Sequence, residues 1–349
     1  MSSSAGLVQP VPDRNFSPWY QWVSRLGATS HEDPLPESDP GALAAWVEGR
    51  RRRLAELMGP LPEPVPLRPE TLESEQCDGY RREKIVFDTE FDMSVPAYLL
   101  IPDGRESEGA AVLACHGHGP GKSQAVGLEH TDAPNSDYAL QFVRQGYVVL
   151  APDLRCFGER LDWNPEDHYA CDTNLVHAVM AGWNPLTQNV WDLARCLDVL
   201  SQHPLVDASR IGMVGLSYGA TVTLFTTAYD NRVAAAVVSG YFSSWKESHK
   251  MPWNMCGSQV FHGMLGHLEH EDVAALIAPR PLLIESGTED YLFPVAVATE
   301  SVRRTRLVYE QHAAADRLVH DVFEGEHQWH GVEAIPFMNR WLGHTPSEV

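Results

Sequence analysis

The stretch Arg210-Ile-Gly-Met-Val-Gly-Leu-Ser217-Tyr-Gly-Ala220 predicts a short apolar strand, a sharp turn with one serine at its tip, and then a helix. Within it, Gly215-Leu-Ser217-Tyr-Gly219 fits the G-x-S-x-G pattern, in which a strained turn exposes a serine hydroxyl at the end of a strand. Glycine is required on both sides of such a turn because a Cβ atom would collide with the neighbouring strand or helix. The apolar residues around the turn supply that strand and helix, so the stretch predicts a nucleophilic serine.

The composition indicates one large globular unit with a small appendage. The chain has 349 residues, of which 44% are hydrophobic, and it contains no run of ~20 apolar residues that could cross a membrane. The formal net charge of −21 argues against a nucleic-acid partner, because phosphate neutralisation needs clustered Lys and Arg. Residues 1–10 lack a basic segment followed by an apolar one, so we expect no secretory signal and a cytoplasmic location. The six cysteines form no C-x-x-C pair, which fits reduced thiols in that compartment.

The chain divides into a helical N-terminal extension, residues 1–75, and a catalytic domain, residues 76–349. In the catalytic domain, short apolar strands alternate with amphipathic helices. This alternation predicts the α/β class, with a mostly parallel sheet covered by helices on both faces. The extension carries aromatic residues such as Trp22 and Trp46 and is too apolar for a free tail. We expect it to dock over the active site or against a second subunit in a homo-oligomer.

Two long segments, 157–186 and 241–269, interrupt the alternation of strands and helices. Both follow strands, at the edge of the sheet where α/β proteins bind ligands, and loops of this length are usually functional. We therefore expect a small cap over the site. Trp163 and Trp183 either shape the substrate pocket or pack within the cap itself.

The serine needs a base and an orienting carboxylate, which follow it along the chain in the order Ser, Asp or Glu, His. Asp290 comes just after the apolar segment 281–286 and is favoured over its neighbour Glu289 and over Glu285, which lies within the predicted strand. For the base, His327 and His330 both follow the last predicted strand. We favour His327, which stands nearer to the end of that strand. The predicted triad is thus Ser217, Asp290 and His327.

Two backbone N–H groups are needed to stabilise the oxyanion of a tetrahedral intermediate. One is the N–H of Tyr218, directly after the serine. The other is expected from the loop after an earlier strand, where His116-Gly-His118-Gly119 stands, with the N–H of His118 as the donor.

The same loop contains two patterns that we do not favour as functional sites. Gly117 to Ser123 resembles a phosphate-binding loop, but His116 occupies the place of its first glycine, so we expect no nucleotide. Histidines 116 and 118, and those at 262, 267 and 270, match no specific metal-binding spacing. We therefore expect neither a metal nor a cofactor.

Several motifs together resemble the α/β-hydrolase superfamily, over residues 80–345. They are His116-Gly-His-Gly119, Asp153-Leu-Arg-Cys-Phe-Gly-Glu-Arg160, Gly215-Leu-Ser-Tyr-Gly219, Cys256-Gly-Ser-Gln259 and Ala278-Pro-Arg-Pro-Leu-Leu-Ile-Glu-Ser-Gly287. Within the superfamily they are similar to the dienelactone-hydrolase-like and acetylxylan-esterase-like branch. The resemblance implies that Ser217, Asp290 and His327 form the triad, and that the enzyme hydrolyses carboxylic esters without a cofactor. The chain differs from dienelactone hydrolases proper, which have cysteine where Ser217 stands.

The sequence therefore predicts a serine esterase that acts on a small or medium ester through an acyl-enzyme intermediate. Other reactions can use the same triad: acyl transfer, peptide hydrolysis, or the C–C bond hydrolysis of enzymes with a similar helical N-terminal extension. A non-catalytic binding protein on a hydrolase scaffold is a further alternative, against which the intact Ser, Asp and His argue.

Overall fold

A computed structural model of the chain describes residues 14–37, 39–129, 135–161, 170–248 and 255–346. Among these residues, nine strands form one sheet in the order β1-β2-β3-β5-β4-β6-β7-β8-β9. The strands are β1 (Glu70–Gln76), β2 (Tyr80–Glu90), β3 (Met93–Pro102), β4 (Gly109–Cys115), β5 (Val148–Pro152), β6 (Val206–Leu216), β7 (Val233–Ser239), β8 (Leu282–Gly287) and β9 (Leu318–Phe323).

The sheet is antiparallel at one end and parallel over the rest. The pairs β1–β2, β2–β3 and β3–β5 are antiparallel, and the five remaining pairs are parallel. Parallel strands need crossover connections, and helices provide them here. The helices are α1 (Pro18–Ala28), α2 (Pro40–Met58), α3 (Lys122–Ala125), α4 (Tyr138–Arg144), α5 (Ala170–Ala181), α6 (Pro185–Gln202), α7 (Tyr218–Tyr229), α8 (Trp245–Ser248), α9 (His270–Ala275), α10 (Val295–Gln311) and α11 (Ala334–Trp341).

Helices cover both faces of the sheet. Successive side chains of β4 alternate between two apolar clusters: Ala111 and Leu113 pack with residues of α6 and α7, whereas Ala110 and Val112 pack with residues of α4 and α11. All seven residues of β4 are buried, as expected for a strand between two helical layers. The predicted α/β-hydrolase architecture is confirmed.

Helix α2 of the N-terminal extension docks against the catalytic domain of the same chain, whereas α1 has no buried residue and its Trp22, expected to dock, is exposed. Trp46 on α2 is 5% exposed and packs in a cluster with Ala275 of α9 and Val308 of α10. The Arg50 guanidinium beside it donates hydrogen bonds to the His267 carbonyl and to the Asp33 carboxylate, both at 2.6 Å. The docked helix therefore buries its apolar face without a second subunit.

The connection from the extension into the sheet differs from the sequence prediction. Strand β1 begins at Glu70, so the expected boundary after residue 75 falls inside a strand of the sheet. All seven residues of β1 are exposed, and its sequence, Glu-Thr-Leu-Glu-Ser-Glu-Gln, lacks the apolar alternation that would reveal a strand. Its pairing with β2 alone makes it part of the sheet.

The segment 157–186, expected to be a long loop, contains a helix. Trp183 follows this helix, α5, and is half-buried. The backbone N–H of Trp183 donates to the Ala178 carbonyl. Trp163 lies outside the described residues.

No helix in the described part of the chain is both long and apolar enough to span a membrane.

We predict that Trp46→Ala lowers the free energy of unfolding by about 3–5 kcal/mol, because it removes a large buried side chain between α2, α9 and α10. Chemical denaturation followed by fluorescence measures this loss. Trp22→Ala is the matched control: Trp22 is 52% exposed on α1, so its loss should change stability by less than about 0.5 kcal/mol. Equal effects of the two substitutions would contradict the docking of α2.

Candidate active site

Ser217 stands on a strained turn between β6 and α7. Its backbone has φ 58° and ψ −116°, a sparsely populated combination for a residue with a side chain, which costs ~1–3 kcal/mol. Tight packing on both sides enforces this turn. A Cβ on Gly215 would lie 2.2 Å from the Gly219 carbonyl oxygen, and a Cβ on Gly219 would lie 1.9 Å from the Cys115 carbonyl oxygen at the end of β4. The two glycines of the motif are thus the residues that let α7 approach the sheet.

Asp290 and His327 form a hydrogen-bonded pair at the ends of β8 and β9. The distance between Asp290 Oδ2 and His327 Nδ1 is 2.8 Å, and the side chain of Asp290 is 2% exposed. The other oxygen, Oδ1, accepts hydrogen bonds from the backbone N–H groups of Leu292 and Phe293 at 2.9 and 3.1 Å. These contacts hold the Asp290 carboxylate in one position. The carboxylate in turn orients the His327 imidazole, because it binds the Nδ1 atom of that ring.

The imidazole of His327 reaches the strand end that carries the serine. A Cβ placed on Gly240 would lie 3.2 Å from His327 Cε1 and 3.2 Å from a methyl carbon of Leu216. His327 therefore lies beside the residue that precedes Ser217 in the chain. Phe293 packs against the same ring, with 5.8 Å between the ring centroids. The structure thus pairs Asp290 with His327 and places this imidazole near Leu216; that Ser217, Asp290 and His327 act together as a triad stays a prediction.

The competing residues have other contacts. His330 Nδ1 lies 2.6 Å from Asp321 Oδ2, and its ring stacks on Phe323 at 4.3 Å. The buried Glu285 carboxylate accepts hydrogen bonds from the backbone N–H groups of Gly331 at 2.9 Å and of His330 at 3.3 Å, and burial raises its pKa. Glu289 is exposed. Glu285 thus positions the loop that carries both histidines.

The predicted oxyanion donors lie on two sides of the serine. Tyr218 is the first residue of α7, where the backbone N–H has no acceptor within the helix. On the other side, a Cβ on Gly117 would lie 3.4 Å from the Cβ of Ser217, so the loop that carries His118 passes directly beside the nucleophile. His116 has a structural role in that loop: Nε2 accepts from the Leu154 N–H at 3.0 Å, and Nδ1 faces the Gly117 carbonyl at 2.7 Å.

A buried ion pair that was not predicted from the sequence holds this loop in place. Lys122 Nζ lies 2.6 Å from Asp153 Oδ2, and the Lys122 backbone N–H donates to Asp153 Oδ1 at 2.7 Å. Lys122 also pairs with Glu159. Lys122 is the lysine of the stretch that resembles a phosphate-binding loop, and its pairing with two carboxylates argues against a role in phosphate binding. The position of Asp153 just after β5 is the signal that could have revealed the pair.

A second charged cluster fixes the segment after β5. Asp192 on α6 pairs with Arg155 at 2.8 Å and with Arg160 at 2.7 Å. Burial disfavours the charged carboxylate, but Arg160 and Arg155 outweigh this effect and lower the pKa of Asp192 to about 2. The carboxylate therefore stays ionised, and the two arginines hold the start of the segment 157–186.

A cavity of about 790 Å³ opens next to the loop that carries His118. Besides His118, its wall includes Phe157, Cys171 and Cys256. The rings of Phe157 and Tyr218 lie 5.4 and 5.2 Å from that of His118, and the partial loss of hydration lowers the pKa of His118, although its side chain stays open to solvent. Trp183 is not among the described residues that line this cavity.

The chain belongs to the abhydrolase family, whose model matches residues 35–316. It is 29% identical over 308 residues to a protein of Bacillus subtilis (strain 168) named "Putative hydrolase YtaP", an alignment that covers 84% of this chain and 99% of the relative. It is 27% identical over 222 residues to "Polyketide transferase claH" of Penicillium crustosum, covering 62% of this chain and 64% of that protein.

Solved structures of esterases share the fold. A crystal structure described as a "putative acetyl xylan esterase" of Bacteroides fragilis NCTC 9343 superposes with a TM-score of 0.73 at 21% identity, covering 89% of this chain and 83% of that one. A glucuronoyl esterase from Solibacter usitatus superposes with a TM-score of 0.63 at 14% identity, covering 86% and 93%. These likenesses confirm the α/β-hydrolase fold and the predicted similarity to acetylxylan-esterase-like proteins.

We predict that Glu285→Ala lowers the free energy of unfolding by roughly 2–4 kcal/mol, since two buried backbone N–H groups lose their acceptor. Glu285→Gln should lose less, because its amide oxygen can still accept one of the two hydrogen bonds. Thermal or chemical denaturation measures the series. Glu289→Ala, which changes an exposed neighbour, is the control and should leave stability unchanged. A Glu285→Ala protein as stable as this control would show that the carboxylate does not hold the loop.

Proposed function

We propose that this abhydrolase is a serine esterase that cleaves carboxylic esters through a covalent acyl-enzyme intermediate. The observation that carries the proposal is the Asp290–His327 pair, placed beside the strand end that presents Ser217 on its strained turn. Because Nδ1 of His327 is bound to Asp290, its Nε2 is the nitrogen left to act as the base for Ser217. The order of the three residues along the chain is that of α/β-hydrolases.

In this mechanism, Ser217 Oγ attacks the ester carbonyl carbon while His327 Nε2 accepts the hydroxyl proton. The negative charge that develops on the carbonyl oxygen is stabilised by the backbone N–H groups of Tyr218 and His118. The intermediate then collapses: the C–O bond to the alcohol breaks, and His327 gives its proton to the leaving alcohol. Water, deprotonated by His327, attacks the acyl-enzyme, and the acid is released as Ser217 recovers its proton. The Asp290 carboxylate orients the ring and stabilises the imidazolium.

The size of the cavity beside the His118 loop favours a small or medium ester as the substrate, although Ser217 and His327 are not among the described residues that line it. Its volume of about 790 Å³ lies within the ~300–1,000 Å³ range of small-molecule sites. Proteins of the same fold include structures named as a putative acetyl xylan esterase, a glucuronoyl esterase and a methylesterase, which favours an ester as the substrate. The expectation that the enzyme is cytoplasmic and needs no cofactor stays a prediction.

Acyl transfer is the second candidate, favoured by the similarity to the polyketide transferase of Penicillium crustosum. The first half of the reaction is the same, but an alcohol takes the acyl group from Ser217 in place of water. Hydrolysis of p-nitrophenyl acetate in the presence of increasing concentrations of acceptor alcohols separates the two candidates. A transferase would form the new ester in preference to free acetate at low alcohol concentration, whereas an esterase would form mostly acetate.

We predict that Ser217→Ala lowers kcat for p-nitrophenyl acetate by ~10⁴-fold or more, because the nucleophile is lost. The fold should be retained, as measured by circular dichroism and melting temperature. A fluorophosphonate probe should label the wild-type protein on the peptide that contains Ser217 and should not label the variant. Turnover by the variant at the wild-type rate would refute the proposal.

We predict that His327→Ala costs nearly as much activity as Ser217→Ala, because the base and the nucleophile act as a unit. His330→Ala is the matched control three residues away; it transfers no proton and should cost less than about 10²-fold. Asp290→Asn should be severe and Glu289→Gln mild. The reverse ranking of the two histidines would identify His330 as the base.

A further inference from the structure

Three residues that are far apart in the sequence converge on the wall of the cavity. A nitrogen of His118 and the sulfur atoms of Cys171 and Cys256 all lie within 4.8 Å of one another. His118 comes from the loop after β4, Cys171 from the first turn of α5, and Cys256 from the loop before the 3₁₀ turn Gly257–Gln259. All three line the cavity, so small solutes can reach the cluster from solvent.

Backbone and amide contacts hold the cluster, and the Cys256 sulfur also accepts from the Gln259 backbone N–H. The Cys256 N–H donates to Gln259 Oε1 at 2.9 Å, and the amide of Gln259 donates to Thr221 on α7 at 2.8 Å. The Gly257 N–H donates to Asp172 Oδ1 on α5 at 2.7 Å. The loop of Cys256 is thereby tied both to the helix that carries Cys171 and to the helix that follows Ser217. Such outer contacts orient ligands in metal sites.

A third cysteine adjoins the cluster in a strained conformation. Cys156 has φ 73°, in the left-handed region that favours glycine, and a residue with a side chain costs ~1–2 kcal/mol there. Its thiol hydrogen-bonds that of Cys171, which also contacts Cys256. Three of the six cysteines of the chain therefore meet at one place beside Tyr218. A function of the Cys156 thiol would explain why a cysteine, and not an unstrained glycine, occupies this left-handed position.

We propose that His118, Cys171 and Cys256 form a binding site for a thiophilic metal ion, with Zn²⁺ as the fitting occupant. Two thiolates and one imidazole match the ligand preference of Zn²⁺, whose bonds of about 2.3 Å to sulfur and 2.0–2.1 Å to nitrogen place neighbouring ligand atoms roughly 3.3–3.8 Å apart in a tetrahedron. The three ligand atoms lie within 4.8 Å of one another, so the most distant of them must move about 1 Å closer together to bind the ion. On binding, each thiol releases its proton to solvent, and the fourth coordination position opens into the cavity.

Occupation of this site has a consequence for hydrolysis, which rests on the proposed function. His118 belongs to the loop that supplies an oxyanion donor, and the metal would lie in the cavity where the ester is expected to bind. Bound Zn²⁺ would therefore hold His118 in the metal site and obstruct the ester. The site acts as a reversible inhibitory site that a chelator clears.

The first test measures binding on the fully reduced, chelator-treated full-length protein, with free thiols counted beforehand. Co²⁺ replaces Zn²⁺ as the probe, because tetrahedral Co²⁺ with thiolate ligands has a characteristic intense visible and near-ultraviolet absorption. We expect this spectrum in the wild-type protein at one Co²⁺ per chain, and its loss when Zn²⁺ is added. With 16 histidines in the chain, weak binding elsewhere is expected, but it lacks the thiolate bands. A wild-type protein without these bands overturns the proposal.

Variants then assign the ligands. Removal of outer contacts alone typically costs 10–100-fold in metal affinity, so Cys171→Ser and Cys256→Ser should each weaken Zn²⁺ binding by at least ~100-fold in competition with a chromophoric chelator. Cys77→Ser, in the turn between β1 and β2, is the control and should bind like the wild type. Equal affinities in all four proteins overturn the assignment.

The inhibition is tested separately, by hydrolysis of p-nitrophenyl acetate with and without Zn²⁺. We expect Zn²⁺ to inhibit the wild type and Cys77→Ser at stoichiometric concentration, and ethylenediaminetetraacetate to restore the rate. Metal that binds without any change in rate overturns the inhibitory role. A protein that shows the Co²⁺ spectrum but hydrolyses no ester instead refutes the proposed function and leaves the metal site intact.

Discussion

The close approach of α7 to the ends of β4 and β6 is the constraint on which the site depends. At Gly215 and Gly219 the backbones touch so tightly that a Cβ atom would lie about 2 Å from a carbonyl oxygen. This contact forces Ser217 into its strained conformation and places the start of α7 beside the loop of His118. The strain is maintained because the surrounding core, which is buried on both faces of β4, cannot relax around it.

The rest of the site is built from loops, and each loop is fixed by buried polar contacts. Lys122 and Asp153 hold the loop after β4, Glu285 holds the loop after β9, and the two backbone donors to Asp290 hold the carboxylate that orients His327. Buried charges and polar groups of this kind are costly unless they are paired, so each loop has one favourable position. The predicted triad thus depends on residues that never contact the substrate.

The sequence predicted the features that have a local signal. The apolar strands, the glycines around Ser217 and the position of Asp290 after a strand are all visible in short windows, and the sheet and its helical layers follow from them. Strand β1 was missed because an exposed polar edge strand has no apolar periodicity. The pairing of Lys122 with Asp153, and the cluster of His118, Cys171 and Cys256, were missed because they join residues 31 or more positions apart. Spacing rules detect metal sites only when ligands share a local motif, and these ligands come from three separate loops and helices.

The docking of α2 joins residues that are far apart in the sequence and are therefore synthesised at different times. Trp46 packs against Ala275 and Val308, which emerge from the ribosome more than 200 residues after it. At ~5–20 residues per second, the apolar face of α2 stays uncovered for roughly ten to fifty seconds during synthesis. Throughout that interval the nascent protein presents an amphipathic helix without its binding surface, which is the type of segment that chaperones bind. The apolar face of α2 therefore stays uncovered while most of the catalytic domain is being made.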